Sequence, residues 1–288
     1  MSRSWPDLDE SQRSLLDEWL PGAEVVADHS WDLRHRHVLE VVHAGIRYAV
    51  KAGSPSDGHM LREIRAHREW LAPWTSTGHA PPMVHADPDT LLLVTRWLPG
   101  RLVEDSTAQH DPDTFRQAGA LLARLHGQLS VVDPAHERDE TERALRWLDS
   151  PHRIPAPTES RLRAEIASWD LDVETVLVPT HGDWQPRNWL VHDGVVAVID
   201  LGRADLRTPM SDLARLAAQD FRRDAALETA FLEGYGDDPR DPDLWVRMKV
   251  REAIGTASWA FQHGDAGFEE QGHRMIREAL GTDVPPVA

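Results

Sequence analysis

Apolar positions recur along the chain with two periods, and the order in which the periods change predicts the architecture. Leu15, Leu16, Trp19 and Leu20 fall on one stripe of a helix over residues 11–20, which Pro21-Gly22 stops. Period-two alternation then predicts strands over 23–28, 37–43 and, after the Ala44-Gly45 turn, 46–52. A helix over 59–71 follows, and strands at 83–85 and 91–97 flank an Asp87-Pro88-Asp89-Thr90 turn, which together describe a small antiparallel sheet. Leu98-Pro99-Gly100 breaks the pattern. Beyond it the spacing is mostly helical: Asp111-Pro112 opens a helix continued by Phe115, Ala118, Leu122, Leu125 and Leu129. Residues 131–140 and 150–157 read as loops around a short helix over 141–148, and further helices are predicted over 211–220, 225–234, 242–261 and 267–280. The fold class is α+β, with a sheet-bearing first part and a helical remainder.

One stretch of the helical part is a hairpin, and it concentrates polar chemistry. Thr180 to Gly202 reads T-H-G-D-W-Q-P-R-N-W-L-V-H-D-G-V-V-A-V-I-D-L-G. Strands over 189–191 and 195–199, joined by His192-Asp193-Gly194, bring Asp183, Asn188 and Asp200 to one end. Asp and Asn in turns commonly do no more than bond backbone groups. The ordered set Asp-x-x-x-x-Asn then Asp-x-Gly, however, supplies what metal-assisted phosphoryl transfer needs: a carboxylate for a hydroxyl proton, and an amide oxygen with a second carboxylate as hard ligands.

These residues resemble the motifs of the aminoglycoside phosphotransferase and choline kinase-like family, whose fold is similar to that of protein kinases. His181-Gly182-Asp183 with Asn188 matches its catalytic loop, and Ile199-Asp200-Leu201-Gly202 its metal-binding motif. The resemblance covers most of the chain. It implies Asp183 as the catalytic residue, Asn188 and Asp200 as Mg²⁺ ligands, and ATP or GTP as donor. It also implies a hinge near residues 96–101, hence a nucleotide-binding lobe over 1–98 and a catalytic and acceptor-binding lobe over 99–288. Ala49-Val50-Lys51 is close to the kinase strand Val-Ala-Ile-Lys, in which the small residue leaves room for the base and the Lys pairs with phosphates. Glu63, twelve residues on, falls where the Lys-pairing Glu is expected, although Glu69 lies on the same helix. The Gly-rich loop of protein kinases is missing. Asp28-His29-Ser30-Trp31-Asp32-Leu33 stands in its place, and Ser30 is the residue there with a hydroxyl to offer a phosphate. Asp212 is expected to cap the next helix and brace the catalytic loop.

Composition narrows the alternatives. The absence of Cys among 288 residues excludes disulfides, thiolate zinc sites and Cys nucleophiles, and fits a cytoplasmic setting. There is no apolar run of membrane-spanning length, and Met1 to Pro6 has no signal-peptide core. A net charge of −17, from 48 acidic and 31 basic side chains, argues against nucleic-acid binding; it would attract a cationic small substrate, and it equally serves solubility. Among the 16 His, the group His29, His35 and His37 lacks a metal-binding spacing, and no Gly-x-Ser-x-Gly elbow presents a nucleophile. His126 reads as a structural hydrogen-bonder. Nothing between Gly202 and Asp212 resembles the segment that seats a peptide in protein kinases, so the acceptor is expected to be a small hydroxylated molecule. The first reading is a kinase that inactivates an antibiotic, with Asp205, Asp265, Glu269 and Glu270 as acceptor-binding candidates. A metabolite kinase acting on choline, a sugar or an amino alcohol is the second, and a nucleotide-binding pseudokinase the third.

Overall fold

The structure is a computed structural model that describes Trp5 and residues 7–30, 37–54 and 58–281. It divides into two compact units. The first comprises residues 1–128, 179–205 and 224–236, the second 129–178, 206–223 and 237–288. The boundary expected near 96–101 therefore falls within the first unit.

In the first unit, helix α1 (Glu10–Trp19) starts with a capping box in which Asp9 accepts from the Gln12 amide and Gln12 reaches back to Asp9. Strands β1 (Glu24–Asp28), β2 (His37–His43) and β3 (Ile46–Ala52) lead to helices α2 (Gly58–Glu69) and α3 (Ala72–Thr75), then β4 (Met83–Asp87) and β5 (Leu92–Arg96). The antiparallel sheet runs in the order β1-β2-β3-β5-β4. Alternation on β3 sends Tyr48, Val50 and Ala52 into a core with Leu16, Leu20, Leu39, Val41, Leu92 and Val94. The opposite face is left to Arg47, Ala49 and Lys51. The buried Gln12 fixes α1 to this sheet, its Nε2 donating to the carbonyls of Gly53 and Thr90.

The short strand β6 (Arg101–Leu102) and the helix α4 (Pro112–His126) continue the same unit. Asp111 caps α4, as the Asp-Pro pair predicts. Strand β7 (Val131–Asp133), helices α5 (His136–Asp149) and α6 (Ala156–Ala167) and strand β8 (Thr175–Thr180) come next. The short helix expected over 141–148 thus begins five residues earlier, and α6 and β8 have no counterpart in the periodicity. The core-facing position at the start of α5 is Glu137, fully buried between Arg251 at 3.0 Å and Arg247 at 3.6 Å. Hydrophobic spacing cannot detect such a position. Helix α6 has only two buried residues, Leu162 and Ile166, behind a proline-bearing first turn.

The hairpin strands β9 (Trp189–His192) and β10 (Val195–Val198) pair in register, Val198 opposite Trp189, and β6 joins β9 to complete a three-stranded sheet. After β11 (Asp205–Arg207) a 3-10 turn over Pro209–Leu213 precedes α7 (Ala214–Ala218) and α8 (Asp220–Arg223). The single helix expected over 211–220 is thereby broken, and the residue at the N-cap of α7 is Leu213. Asp212, expected in that role, is buried one residue earlier. Helix α9 (Ala225–Tyr235) returns to the first unit, while α10 (Pro242–His263) and α11 (Ala266–Ala279) pack in the second.

Helices α4 and α9 approach so closely that two glycines are required. A Cβ on Gly234 would lie 1.9 Å from the carbonyl oxygen of Arg116, and one on Gly119 would lie 2.1 Å from that of Phe231. His126 at the end of α4 bonds the Tyr235 hydroxyl through Nδ1 at 2.8 Å, the structural role read from the sequence. Because backbone cannot yield as a side-chain tip can, Gly234→Ala is expected to destabilise the protein by about 1–3 kcal/mol or more, read as a lower denaturant midpoint.

Candidate active site

The loop from His181 to Asn188 rests on a floor of aromatic rings. Trp184 stands between Trp74 at 5.7 Å and Trp189 at 5.5 Å, and Phe115 meets Trp189 edge-on at 5.3 Å. All four are fully buried; Trp74 Nε1 donates to the Leu121 carbonyl at 2.9 Å, whereas among the described residues the indole nitrogens of Trp184 and Trp189 have no partner, so packing holds those two rings. His181 joins its edge and spans the two motifs: Nδ1 accepts from the Asp183 amide at 3.3 Å while Nε2 faces the Ile199 carbonyl at 3.1 Å. These partners place the proton on Nε2. Above them, Gln117 of α4 clips the hairpin by donating to the Gly194 carbonyl and accepting from the Val196 amide.

Asp183 is buried and its carboxylate is surrounded by donors. Gln185 Nε2 reaches Oδ1 at 2.6 Å, and Arg187 Nη2 and Asn188 Nδ2 reach Oδ2 at 2.6 Å and 3.1 Å. Asn188 also donates to the Asp183 carbonyl at 2.8 Å, which commits its amide nitrogen to the loop. Asp200 differs in kind: its side chain is 50% exposed and its φ of +64° lies in the left-handed region. A non-Gly residue held there is strained, and such strain concentrates at functional positions.

Lys51 ties the sheet to this loop. Its Nζ is 2.6 Å from Glu63 of α2 and 3.5 Å from Asp200. Glu69 is exposed, so the structure selects Glu63 as the partner of Lys51. Burial disfavours the ammonium, but the charges of Glu63 and then Asp200 outweigh it and raise the Lys51 pKa. Burial likewise pushes Glu63 up, against the pull of Lys51. The contact length favours the ionised pair. Two further arginines of α2 hold the segment after Asp200: Arg62 Nε donates to the Gly202 carbonyl at 3.1 Å, and Arg65 pairs with Asp205 at 2.6 Å.

The structure brings Lys51, Glu63, Asp183, Asn188 and Asp200 into one unit, with Ala49 on the same sheet face as Lys51. Ser30 is in that unit too, but its hydroxyl oxygen accepts from the Val38 amide at 3.1 Å and so closes the β1–β2 turn. The rest of that loop, Trp31 to Leu33, and His35 lie outside the described residues. Asp205 is engaged by Arg65. Asp265, Glu269 and Glu270 belong to the second unit, where Asp265 caps α11 and the buried Glu269 faces Arg153 and His273, both at 3.6 Å. Glu270 is exposed.

Comparison with known proteins decides the family. Residues 29–248 match the model of the APH phosphotransferase enzyme family. The chain belongs to this family. Comparison with curated protein sequences finds no significant match. Among solved structures, the phosphotransferase is similar in fold to aminoglycoside phosphotransferase APH(4)-Ia, at 15% identity with a TM-score of 0.71 over 94% of this chain and 98% of that one. It is also similar to a choline/ethanolamine kinase family protein from Mesorhizobium loti, at 17% identity and a TM-score of 0.62 over 94% and 91%. A third is macrolide 2'-phosphotransferase MphH from Brachybacterium faecium, at 18% identity and 0.57 over 98% and 99%.

Several residues of the candidate site are not singled out by the sequence pattern. Gln185, Arg187, Arg62 and Arg65 lie between or beside the motif positions, where spacing alone assigns no role. Glu40 could have been found, because β2 alternation and its pairing with Ala49 put it on the Lys51 face. It is buried beneath Arg47 and His29, and both of these flank Trp97. His67, one turn after Glu63, is the least expected. Among the described residues neither of its buried ring nitrogens has a hydrogen-bond partner, although the residue as a whole keeps some exposure. Burial and then the Lys51 charge lower its pKa from 6.5 to about 3.

That depression has a definite sign. Between pH 6.5 and about 3 the unfolded chain binds a proton at His67 that the folded protein refuses, so stability falls as pH falls through this window. His67→Leu should remove the penalty. At pH 5 the variant should retain about 2 kcal/mol more of its neutral-pH stability than the wild type does. Denaturant titrations of both proteins at pH 7 and pH 5 check this, and parallel losses would show that His67 is not the group responsible.

Proposed function

We propose that the protein transfers the γ-phosphoryl group of ATP or GTP to a hydroxyl of a small, amine-bearing antibiotic and thereby inactivates it. The observation that carries the reading is the Lys51 ammonium held between Glu63 and Asp200, in the same unit as the Asp183–Asn188 loop. Phosphoryl transfer needs little covalent chemistry from the protein, so a fixed set of charges accounts for most of the catalysis.

In this mechanism Lys51, oriented by Glu63, takes the phosphates, and Ala49 leaves room for the base. Asp183 orients the acceptor hydroxyl and takes its proton. The donor set suits Mg²⁺: the half-exposed Asp200 carboxylate and the Asn188 amide oxygen, whose nitrogen is already committed to Asp183, are hard ligands. Bound there, the ion would neutralise phosphate charge. The nucleotide donor is supported by solved neighbours: one APH(4)-Ia structure is a ternary complex with ADP and hygromycin B, and another holds AMP-PNP and hygromycin B.

The antibiotic reading draws on the APH(4)-Ia and macrolide phosphotransferase neighbours together with the acidic surplus of the chain. Choline kinase LicA from Streptococcus pneumoniae, with a TM-score of 0.64, supports the metabolite-kinase alternative, whose acceptor would also carry a cationic nitrogen. A screen of hydroxylated aminoglycosides, macrolides, choline and amino sugars with ATP and GTP, reading mass gain, separates the two. Efficient transfer confined to acceptors without an amine would overturn the cationic preference.

Two substitutions test the machinery. Asp183→Asn should lower kcat by about 10²-fold or more and leave nucleotide affinity nearly unchanged, since the lost carboxylate serves the acceptor. Near-normal turnover would remove Asp183 from its role. Asp200→Ala should abolish the Mg²⁺ dependence of nucleotide binding, measured by titration with and without the ion, and a wild-type response would remove Asp200 as a ligand.

A further inference from the structure

The catalytic loop carries a cation that the mechanism above does not use. Arg187 stands four residues after Asp183 in the 3-10 turn Pro186–Asn188, and its Nη2 donates to Asp183 Oδ2 at 2.6 Å. Among the described residues this is the one hydrogen bond its guanidinium makes, and the side chain is 39% exposed.

This pairing is costly for a proton acceptor. A charge-assisted bond to guanidinium stabilises the ionised carboxylate, and that stabilisation is given up when the carboxylate takes a proton. Orientation alone does not require it. Gln185 at 2.6 Å on Oδ1 and Asn188 at 3.1 Å on Oδ2 are buried neutral donors that already fix the carboxylate from both sides. The arginine therefore opposes the chemistry unless its charge acquires another partner as the proton arrives. The reaction creates one. As the acceptor oxygen bonds to the γ-phosphorus, its proton passes to Asp183 and the bond from that phosphorus to the bridging oxygen breaks, releasing nucleoside diphosphate. Negative charge spreads over the equatorial oxygens of a group in contact with the oxygen that Asp183 is deprotonating.

We propose that Arg187 is a catalytic residue that exchanges partners during transfer, leaving Asp183 for the equatorial oxygens of the transferring phosphoryl group. In the resting enzyme it neutralises Asp183. In the transition state the carboxylate becomes neutral while charge gathers beside it, so the guanidinium binds the transition state more strongly than the ground state, which is the condition for raising kcat. A planar fork with several donors can hold a carboxylate and then a phosphoryl group, which suits Arg better than Lys. This inference rests on the phosphotransfer reading and adds to it an arginine supplied by the chain's own catalytic loop.

The test measures affinity rather than turnover, so it needs no acceptor. ADP or GDP, whichever the wild type binds in the presence of Mg²⁺, is titrated with and without aluminium fluoride, a mimic of the transferring phosphoryl group. The wild type should bind the diphosphate more tightly with the mimic. Arg187→Gln should keep its affinity for the diphosphate alone within about twofold and lose about tenfold or more of the added tightening. Arg187→Lys should recover only part of it. Equal tightening in wild type and Arg187→Gln, or none in the wild type, overturns the proposal. Asp200→Ala serves as the separate control: unchanged Mg²⁺-dependent binding in that variant, or no binding of either diphosphate by the wild type, would instead sink the underlying phosphotransfer reading.

Discussion

The ammonium of Lys51 is the point on which three elements converge. It extends from the polar face of β3, reaches α2 through Glu63 at 2.6 Å, and reaches the strained turn after β10 through Asp200 at 3.5 Å. One cation between two carboxylates leaves a surplus negative charge. In a partly buried setting that surplus is unfavourable unless further positive charge is brought in. The left-handed backbone at Asp200 makes the same demand, because strain of this kind persists only where the surroundings over-determine it. Arg62 and Arg65 answer both needs from the next positions of α2, one binding the Gly202 carbonyl and the other Asp205. Helix α2 is thus fastened to the sheet by one residue and to the turn after Asp200 by two.

A second set of restraints fixes the loop from His181 to Asn188, and it is largely independent of the first. Rings pack beneath it, His181 bridges the Asp183 amide to the Ile199 carbonyl, and Asn188 closes the loop on Asp183. His181 and Asp200 lie close in the fold because Ile199, whose carbonyl His181 contacts, immediately precedes Asp200. The two indole nitrogens of this floor that find no partner among the described residues are a cost, since a buried donor without an acceptor loses its hydration. Four large buried rings offset it through the apolar area they remove from water.

How much of this was legible in the sequence depended on the type of signal. Motif spacing singled out Lys51, Glu63, Asp183, Asn188 and Asp200, and the structure holds all five in one unit, with Lys51 against Glu63 and Asp200. Period-two alternation located the five-stranded sheet, and the Asp-Pro pair marked the start of α4. Periodicity failed where the buried face is ionic. Glu137 with Arg247 and Arg251 occupies positions that a hydrophobic count scores as solvent, and α5 was read as partly loop for that reason. It also failed at α6, where two apolar residues are too few to define a stripe, and at 209–223, where a 3-10 turn and two short helices replace one continuous element. Arg187 and Gln185 sit in the unassigned positions of the Asp-x-x-x-x-Asn spacing. Their roles follow from where the loop's turn directs them, which no linear spacing encodes.

The same distinction governs the charge of the chain. A net of −17 suggests a supply of carboxylates for a cationic acceptor, and the candidates Asp205, Asp265, Glu269 and Glu270 lie just after Gly202 and near the end of the chain. The side chains tell them apart. Asp205 is paired with Arg65, Glu269 is buried against Arg153 and His273, and Asp265 spends an oxygen capping α11. Each of these bonds would have to be exchanged for one to the acceptor, with little net gain. Glu270, being exposed, carries no such cost. The overall field can still concentrate a cation near the protein, since long-range attraction follows net charge. A carboxylate already bonded within the fold must lose that bond to hold a cation at short range, so among these four candidates the exposed Glu270 would do so at the least cost.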